Sequence, residues 1–307
     1  MSNIFSVENY KKYLGDVEVP EILYNVPMKN HTTFEIGGPA EVFICPNLYE
    51  QLSSLIKYCN DEDIPYFILG CGSDLLVSDK GVSGVVVDMS SVMNGMYTDN
   101  SKVIAQAGAT LKDVCDLAAY SSLSGLEFAC GIPGSVGGAC FMNAGAYNGQ
   151  ISDVLESVMV VDKLGNISTI GASDLELGYR TSRIKTDGLC VLEACFNLSV
   201  KPMGEILDVM DDLTERRESK QPLEWPSAGS TFKRPEGYFA GKLIMDSGMQ
   251  GRSVGGAEVS TKHAGFIINK GDATASDVLG LINLVQQEVK SQYNVDLEPE
   301  VRFLGEF

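Results

Sequence analysis

Three widely spaced residues have types and settings that could do chemistry. Arg180 stands in Leu177-Gly178-Tyr179-Arg180-Thr181-Ser182-Arg183. A lone arginine is usually a solvated surface charge. One held between a Gly-Tyr pair and a Thr-Ser-Arg run suits bidentate capture of a carboxylate or phosphate. Ser230 stands in Gly229-Ser230-Thr231-Phe232-Lys233-Arg234. Serine after glycine is most often turn chemistry. The chain lacks a G-x-S-x-G elbow around it and is poor in histidine, so a reactive Ser230 would donate a proton rather than attack. Glu300 stands in Glu298-Pro299-Glu300-Val301-Arg302. Carboxylates near a C-terminus are usually solvated. This one leads into an apolar stretch, and a partly buried carboxylate can be tuned for acid–base work.

Two glycine-rich stretches come next. Gly70-Cys71-Gly72-Ser73-Asp74 follows the apolar Tyr66 to Leu69, and Gly131-Ile132-Pro133-Gly134-Ser135-Val136-Gly137-Gly138 opens a longer stretch through Ala144 to Tyr147. The longer stretch is too apolar for a flexible linker. Glycine at this density lets backbone approach a neighbour closely, and its N–H groups suit an anion, most often a phosphate. A buried structural crossing explains the same composition. Neither the Rossmann glycine fingerprint nor a P-loop is present. Pro133 is predicted in the first turn of a short helix. Two such turns in one domain would suit the two phosphates of a dinucleotide.

The rest of the chain bounds these readings. It has 307 residues, enough for two domains, with 44% hydrophobic and 21% charged residues, as in ordinary globular proteins. A formal net charge of −18 argues against nucleic acid or an anionic membrane surface as partner. Met1 to Tyr10 carries acidic and polar residues with no apolar signal core, and no run approaches a membrane span, so a cytoplasmic protein is expected. The eight cysteines are scattered without a CxxC pair and read as buried free thiols. With only two histidines, His31 and His263, no metal site is expected.

The elements that would position these residues are mixed. Leu52, Leu55, Ile56 and Cys59 repeat at helical spacing, and Thr110 is predicted to cap a helix through about Ser121. Val154 to Val161 and Ile167 to Ile170 read as a hairpin joined by Asp162-Lys163-Leu164-Gly165-Asn166. Residues 1–30 read as a polar lead-in with a short helical piece, Tyr238 to Met245 as a helix, Ala275 to Tyr293 as an amphipathic helix and Glu300 to Leu304 as a last strand. Short strands with few long helices indicate an α+β chain, with a boundary placed near 200.

Taken in order, Asn30–Ala40, Leu69–Ser78, Gly125–Tyr147, Leu177–Arg183, Gln221–Pro235, Gly255–Asn269 and Glu298–Gly305 resemble the motifs of the UDP-N-acetylenolpyruvoylglucosamine reductase (MurB) family of bacterial peptidoglycan precursor synthesis. The resemblance implies an α+β fold: an N-terminal FAD-binding domain of the vanillyl-alcohol-oxidase (PCMH) type over 1–200, with lobes of about 1–90 and 91–200, and a C-terminal substrate domain over 201–307. It implies non-covalent FAD, with Gly70, Cys71, Gly72, Ser73, Asp74, Gly131, Ile132, Pro133, Ser135, Gly138 and Ala144 around it. Arg180, Ser230 and Glu300 resemble the catalytic trio; Arg216, Lys233 and Lys262 are candidates for the uridine diphosphate, because an acidic protein must collect cations to hold that ligand, and Tyr179 is placed with them as a substrate contact. NADPH would be the co-substrate and UDP-N-acetylglucosamine enolpyruvate the acceptor. Ser230 would protonate the substrate, and Arg180 with a protonated or hydrogen-bonded Glu300 would stabilise its developing charge. The short spacing from Arg180 to Ser230 resembles the subtype without an extra substrate-covering loop. A monomer or weak dimer is expected, without nucleic acid or membrane insertion. Cys71 and Asp74 stand where asparagines are common in the family, and Asn148 where glycine is common. A carboxylate at 74 would repel a diphosphate unless it faced away. Another FAD-dependent oxidase or dehydrogenase of the same fold, and a non-catalytic nucleotide-binding protein, are the alternatives.

Overall fold

A computed structural model describes residues 5–307. The chain forms two compact units, and neither is one continuous segment. The first takes in the chain as far as Tyr24, then Val42–Cys71 and Gly84–Arg216; the second takes in Asn25–Glu41, Gly72–Ser83 and Arg217–Phe307. Two short early segments thus belong with the C-terminal residues, and the helix Met203–Lys220 continues the first unit as far as Arg216.

The first unit is built on a five-stranded antiparallel sheet in the order Ile167–Gly171, Leu155–Val161, Cys190–Asn197, Lys102–Gln106, Met96–Asp99. Its strands are rich in valine and isoleucine, and alternate residues such as Val158 and Val160 are buried while Glu156 points out. The predicted hairpin forms: the Asp162 carboxylate accepts the Leu164 and Asn166 amides, both at 2.8 Å. Thr110 caps the helix Leu111–Tyr120 by accepting the Asp113 amide at 3.1 Å. The helix Tyr49–Asp61 buries Leu52, Leu55, Ile56 and Cys59, as their spacing predicts. Each such apolar side chain contributes about 1.5–3 kcal/mol when fully buried. The strand Tyr66–Leu69 runs parallel to residues 85–88 and delivers the chain into Gly70. The lead-in contains a helix, Val7–Leu14, but also a strand, Glu21–Pro27, whose mostly apolar residues are largely exposed.

The second unit holds a four-stranded antiparallel sheet in the order Ser227–Ser230, Phe266–Asn269, Ala257–Val259, Ser253–Val254. The amphipathic helix Ala275–Tyr293 buries Val278, Ile282, Val285 and Val289 in one core with Ala257, Val259 and Ile267. Thr274 caps this helix from within. Asp79 caps it from a distant part of the chain, its carboxylate accepting the Ala275 amide at 2.8 Å and the Ser276 amide at 3.0 Å. Leu75–Val77 pairs in parallel with Arg302–Leu304. The last strand therefore begins two residues later than predicted. Pro299 and Glu300 are drawn instead into pairing with residues 231 and 232. The helix predicted from Tyr238 begins at Ala240, because Tyr238 and Phe239 are exposed rather than packed.

Among the described residues no helix is long and apolar enough to cross a membrane, and no group of three or more His, Cys, Asp or Glu is placed to hold a metal ion. All eight cysteines are free thiols. Burial pushes Cys59, Cys140 and Cys190 up to about 12.

Candidate active site

Within the first unit the glycine turns touch. Ser135 caps the helix Val136–Met142, accepting the Gly138 amide at 3.3 Å. A Cβ on Gly70 would collide with the Ser135 hydroxyl, so only glycine lets the turn after Tyr66–Leu69 approach this cap. The helix thus begins at Val136, and Pro133 lies before its cap rather than in its first turn. Ser135 displaces Pro133 from that role because its oxygen satisfies an N-terminal amide and its backbone forms a bridge to Thr110. The next two amides are also engaged: Val136 donates to Ala109 at 2.9 Å and Gly137 to Ala107 at 2.8 Å. Cys71 lies partly buried in the first turn. Burial raises its pKa, and the nearby carboxylates of Asp88 and Asp113 add to the shift.

The Arg180 motif forms a two-residue turn. Gly178 donates to Thr181 at 3.0 Å and Thr181 to Gly178 at 3.3 Å, leaving Tyr179 and Arg180 at the tip. Arg180 has φ +56°, a left-handed conformation costing a non-glycine residue about 1–3 kcal/mol and often found at functional sites. Its guanidinium lies 5.1 Å from the centre of the exposed Tyr179 ring. The hairpin Tyr147-Asn148 also has two positive φ angles, 51° and 68°, which explains how asparagine serves where glycine is common.

Ser230 and Glu300 lie in the second unit, linked through Thr231. Between Ser227, opposite Ile268, and Ser230, opposite Phe266, the edge strand carries one residue more than its partner. This bulge, with Gly229 at φ +73°, turns Ser230 outward to solvent. Thr231 is buried behind it, its hydroxyl accepting the Ile267 amide at 3.0 Å. The Thr231 carbonyl accepts the Glu300 amide at 2.8 Å, and Lys233 donates its amide to Glu298 at 2.9 Å. Segments about seventy positions apart in sequence are thereby joined next to Ser230 and at Glu300.

The remaining candidates divide as follows. Gly72, Ser73 and Asp74 lie in the second unit, whereas Gly70, Cys71 and the 131–144 stretch lie in the first. Arg302 donates its amide to the Asp74 carbonyl at 3.0 Å; burial lowers the guanidinium pKa and the Asp74 carboxylate opposes that shift. Asp74 therefore sits in the field of a cation. Lys233 pairs with Glu298. Lys262 donates to the Glu218 carbonyl at 2.8 Å and lies 3.5 Å from Glu224. Arg216, in the first unit, pairs with Asp212 one helical turn back at 2.9 Å on an exposed face. Thr231 and Asn143 were not singled out from sequence. A threonine following a serine and an asparagine ending a short helix carry only weak local signals.

Comparison with known proteins bears on this geometry. Residues 221–304 match the model of the UDP-N-acetylenolpyruvoylglucosamine reductase C-terminal domain, and residues 40–171 match an FAD binding domain model. The UDP-N-acetylenolpyruvoylglucosamine reductase of Clostridium novyi is 53% identical over 98% of both chains. That of Clostridium tetani is 54% identical over 98% of this chain and 96% of its own. The chain belongs to the UDP-N-acetylenolpyruvoylglucosamine reductase family. It is an FAD-dependent oxidoreductase with an α+β fold. The crystal structure of the family member from Thermus caldophilus matches it with a TM-score of 0.78 at 35% identity, over 93% of this chain and 98% of that one. Arg180, Ser230 and Glu300 thus stand in a reductase, each on a locally specified turn or strand junction.

Proposed function

We propose that this chain reduces the enolpyruvyl group of UDP-N-acetylglucosamine enolpyruvate to UDP-N-acetylmuramate, with NADPH as reductant. FAD binding is assigned to the domain over residues 1–200 and substrate binding to the one over 201–307, with segments 25–41 and 72–83 packing in the same compact unit as the latter. FAD supplies hydride transfer from NADPH to the vinyl CH2 carbon of the substrate. The contact between Gly70 and Ser135 supports FAD binding, because it keeps side-chain bulk out of the meeting point of the two glycine turns.

The chain's own residues handle charge and proton. As negative charge develops on the carbon beside the substrate carboxylate, Arg180 supplies positive charge and Glu300 a hydrogen bond. Ser230 gives its proton to that carbon and recovers one from solvent, to which it is exposed. The bond from Glu300 to Thr231 carries this reading, since it sets the carboxyl-bearing residue beside the proton donor's strand. Lys233, Lys262, Arg216 and Tyr179 are assigned to the nucleotide diphosphate and its surroundings. That ligand would compete with Glu298 and Glu224 for the two lysines.

An anaerobic flavin spectrum tests the reading. NADPH is expected to bleach the flavin, and the enolpyruvyl sugar nucleotide to restore it. Recovery only on admitting air would instead identify an oxidase. A protein that stays colourless after reconstitution with FAD would remove the redox reading.

A further inference from the structure

The short helix Val136–Met142 ends at Asn143, which is 2% exposed and takes the left-handed cap conformation with φ 44° and ψ 57°. Glycine would satisfy that backbone equally well. The asparagine side chain does something further. Its Oδ1 accepts the Ser152 amide at 2.9 Å, which fixes the orientation of the carboxamide. Nδ2 is thereby turned toward the Gly178 carbonyl at 3.2 Å and Gln150 Oε1 at 3.3 Å. Gln150 is oriented in turn by its own Nε2, which donates to Asp153 at 3.2 Å. On the far side of the same turn, the Ser182 hydroxyl donates to the Phe141 carbonyl at 2.7 Å. Gly178 and Ser182 flank Tyr179 and Arg180, so the turn is fastened on both sides to the last residues of one helix. That helix is capped by Ser135, in the glycine stretch that faces Gly70.

We infer that Asn143 is a positioning residue for Arg180, holding the left-handed Tyr179-Arg180 turn in register with the helix that carries the second glycine turn. The inference rests on the assignment of Arg180 to stabilising charge on the substrate. For a charge-stabilising group, a displacement near 1 Å can cost about a hundredfold in rate, so the position of this turn matters. The clamp supplies the restraint through Gly178 and Ser182. It does not touch the reacting atoms.

Rapid-reaction measurements on the FAD-loaded enzyme separate the two half-reactions. Arg180→Ala is measured first, and retained reoxidation by substrate in that variant would refute the assignment of Arg180 itself. Asn143→Gly keeps the cap conformation without strain and removes only the side chain. It is expected to leave flavin reduction by NADPH within about threefold and to slow reoxidation by substrate ten- to a hundredfold. In the Arg180→Ala background it is expected to have no further effect, because its influence passes through Arg180. Asn143→Asp, of nearly the same shape, still accepts from Ser152 but cannot donate to Gly178, and should show the same loss. Unchanged reoxidation, equal slowing of both half-reactions, or an additive loss on top of Arg180→Ala would overturn the positioning role. So would failure of both Asn143 variants to retain flavin.

Discussion

Glu300 donates its backbone amide to the carbonyl of Thr231 at 2.8 Å, which seats a carboxylate-bearing residue against the strand position immediately after Ser230. The contact joins main chain to main chain, so it survives substitution of either side chain. Mutating Ser230 leaves this main-chain contact in place, so it tests chemistry rather than this link. Ser230→Ala is expected to leave flavin reduction by NADPH intact and to slow reoxidation by substrate about 10²–10⁴-fold, the usual scale of a lost proton donor. Equal slowing of both steps would exclude that role.

The bulge at Gly229 gives a second test. No heavy atom would lie within 4 Å of a Cβ there, so the glycine serves its φ of +73° and not a need for space. Gly229→Ala is expected to cost about 1 kcal/mol in stability through backbone strain alone. Its effect on reoxidation should exceed that, because relaxing the bulge re-aims Ser230. Chemical denaturation and single-turnover kinetics on the same sample separate the two effects.

At Gly70 the constraint is reversed, since space decides. Gly70→Ala drives a methyl group into the Ser135 hydroxyl and is expected to weaken FAD retention. Adding Ser135→Gly clears the oxygen while costing the helix cap only a few tenths of a kcal/mol. The double variant should recover flavin content, read from the ratio of flavin to protein absorbance. Failure to recover would mean that the turns do not meet for the cofactor's sake.

These glycines illustrate where the sequence was legible and where it was not. The helix Ala275–Tyr293, the Thr110 cap and the Asp162–Asn166 turn follow from local spacing and side-chain chemistry, and they form as expected. The bulge before Ser230 is set by pairing with Phe266 and Ile268, and glycine alone does not distinguish it from any other turn. Tyr238 and Phe239 read as the start of a helix, whereas the Arg234 guanidinium covers the Phe239 ring at 4.0 Å and the helix begins at Ala240. The membership of segments 25–41 and 72–83 in the second unit depends on partners far along the chain, and no window of sequence contains both sides. At the candidate site the residue types were readable. The Asn143 clamp on the Arg180 turn was not, because it exists only once the helix and the turn have met.

Asp79 predicts how strongly one of those early segments is attached. Its carboxylate accepts two amides and the Ser276 hydroxyl at the start of the helix Ala275–Tyr293. Asp79→Ala is expected to lower stability by about 1 kcal/mol, the usual size of a lost cap at an exposed position. The denaturation midpoint should fall without a change in slope. An unchanged midpoint would show that solvent replaces the carboxylate at no cost.

His263 sets an acid limit. Burial lowers its imidazole pKa below the ordinary value near 6.5, and Nδ1 accepts the Gly265 amide at 3.1 Å, a bond that protonation would break. Because the folded pKa lies below the unfolded one, the unfolded chain takes up the proton first as pH falls. Stability from this group is complete above about pH 7 and declines as pH falls through 6.5 toward the folded value. Thermal melts between pH 7.5 and 5 should show a smaller decline for His263→Gln than for the parent chain. Parallel curves would exclude His263 as the source.

The pairing of Leu75–Val77 with Arg302–Leu304 also governs the order of events during synthesis. Leu76 is fully buried in the finished protein, and the Ser78 amide donates to the Leu304 carbonyl at 2.8 Å. Its partner strand is synthesised more than two hundred residues later. At ordinary translation rates of about 5–20 residues per second, the early strand waits tens of seconds with an open edge and an unburied leucine. A nascent chain halted before residue 302 would hold a strand with no mate. The segment that carries Glu300 into place is therefore also the one that closes the edge of the early strand.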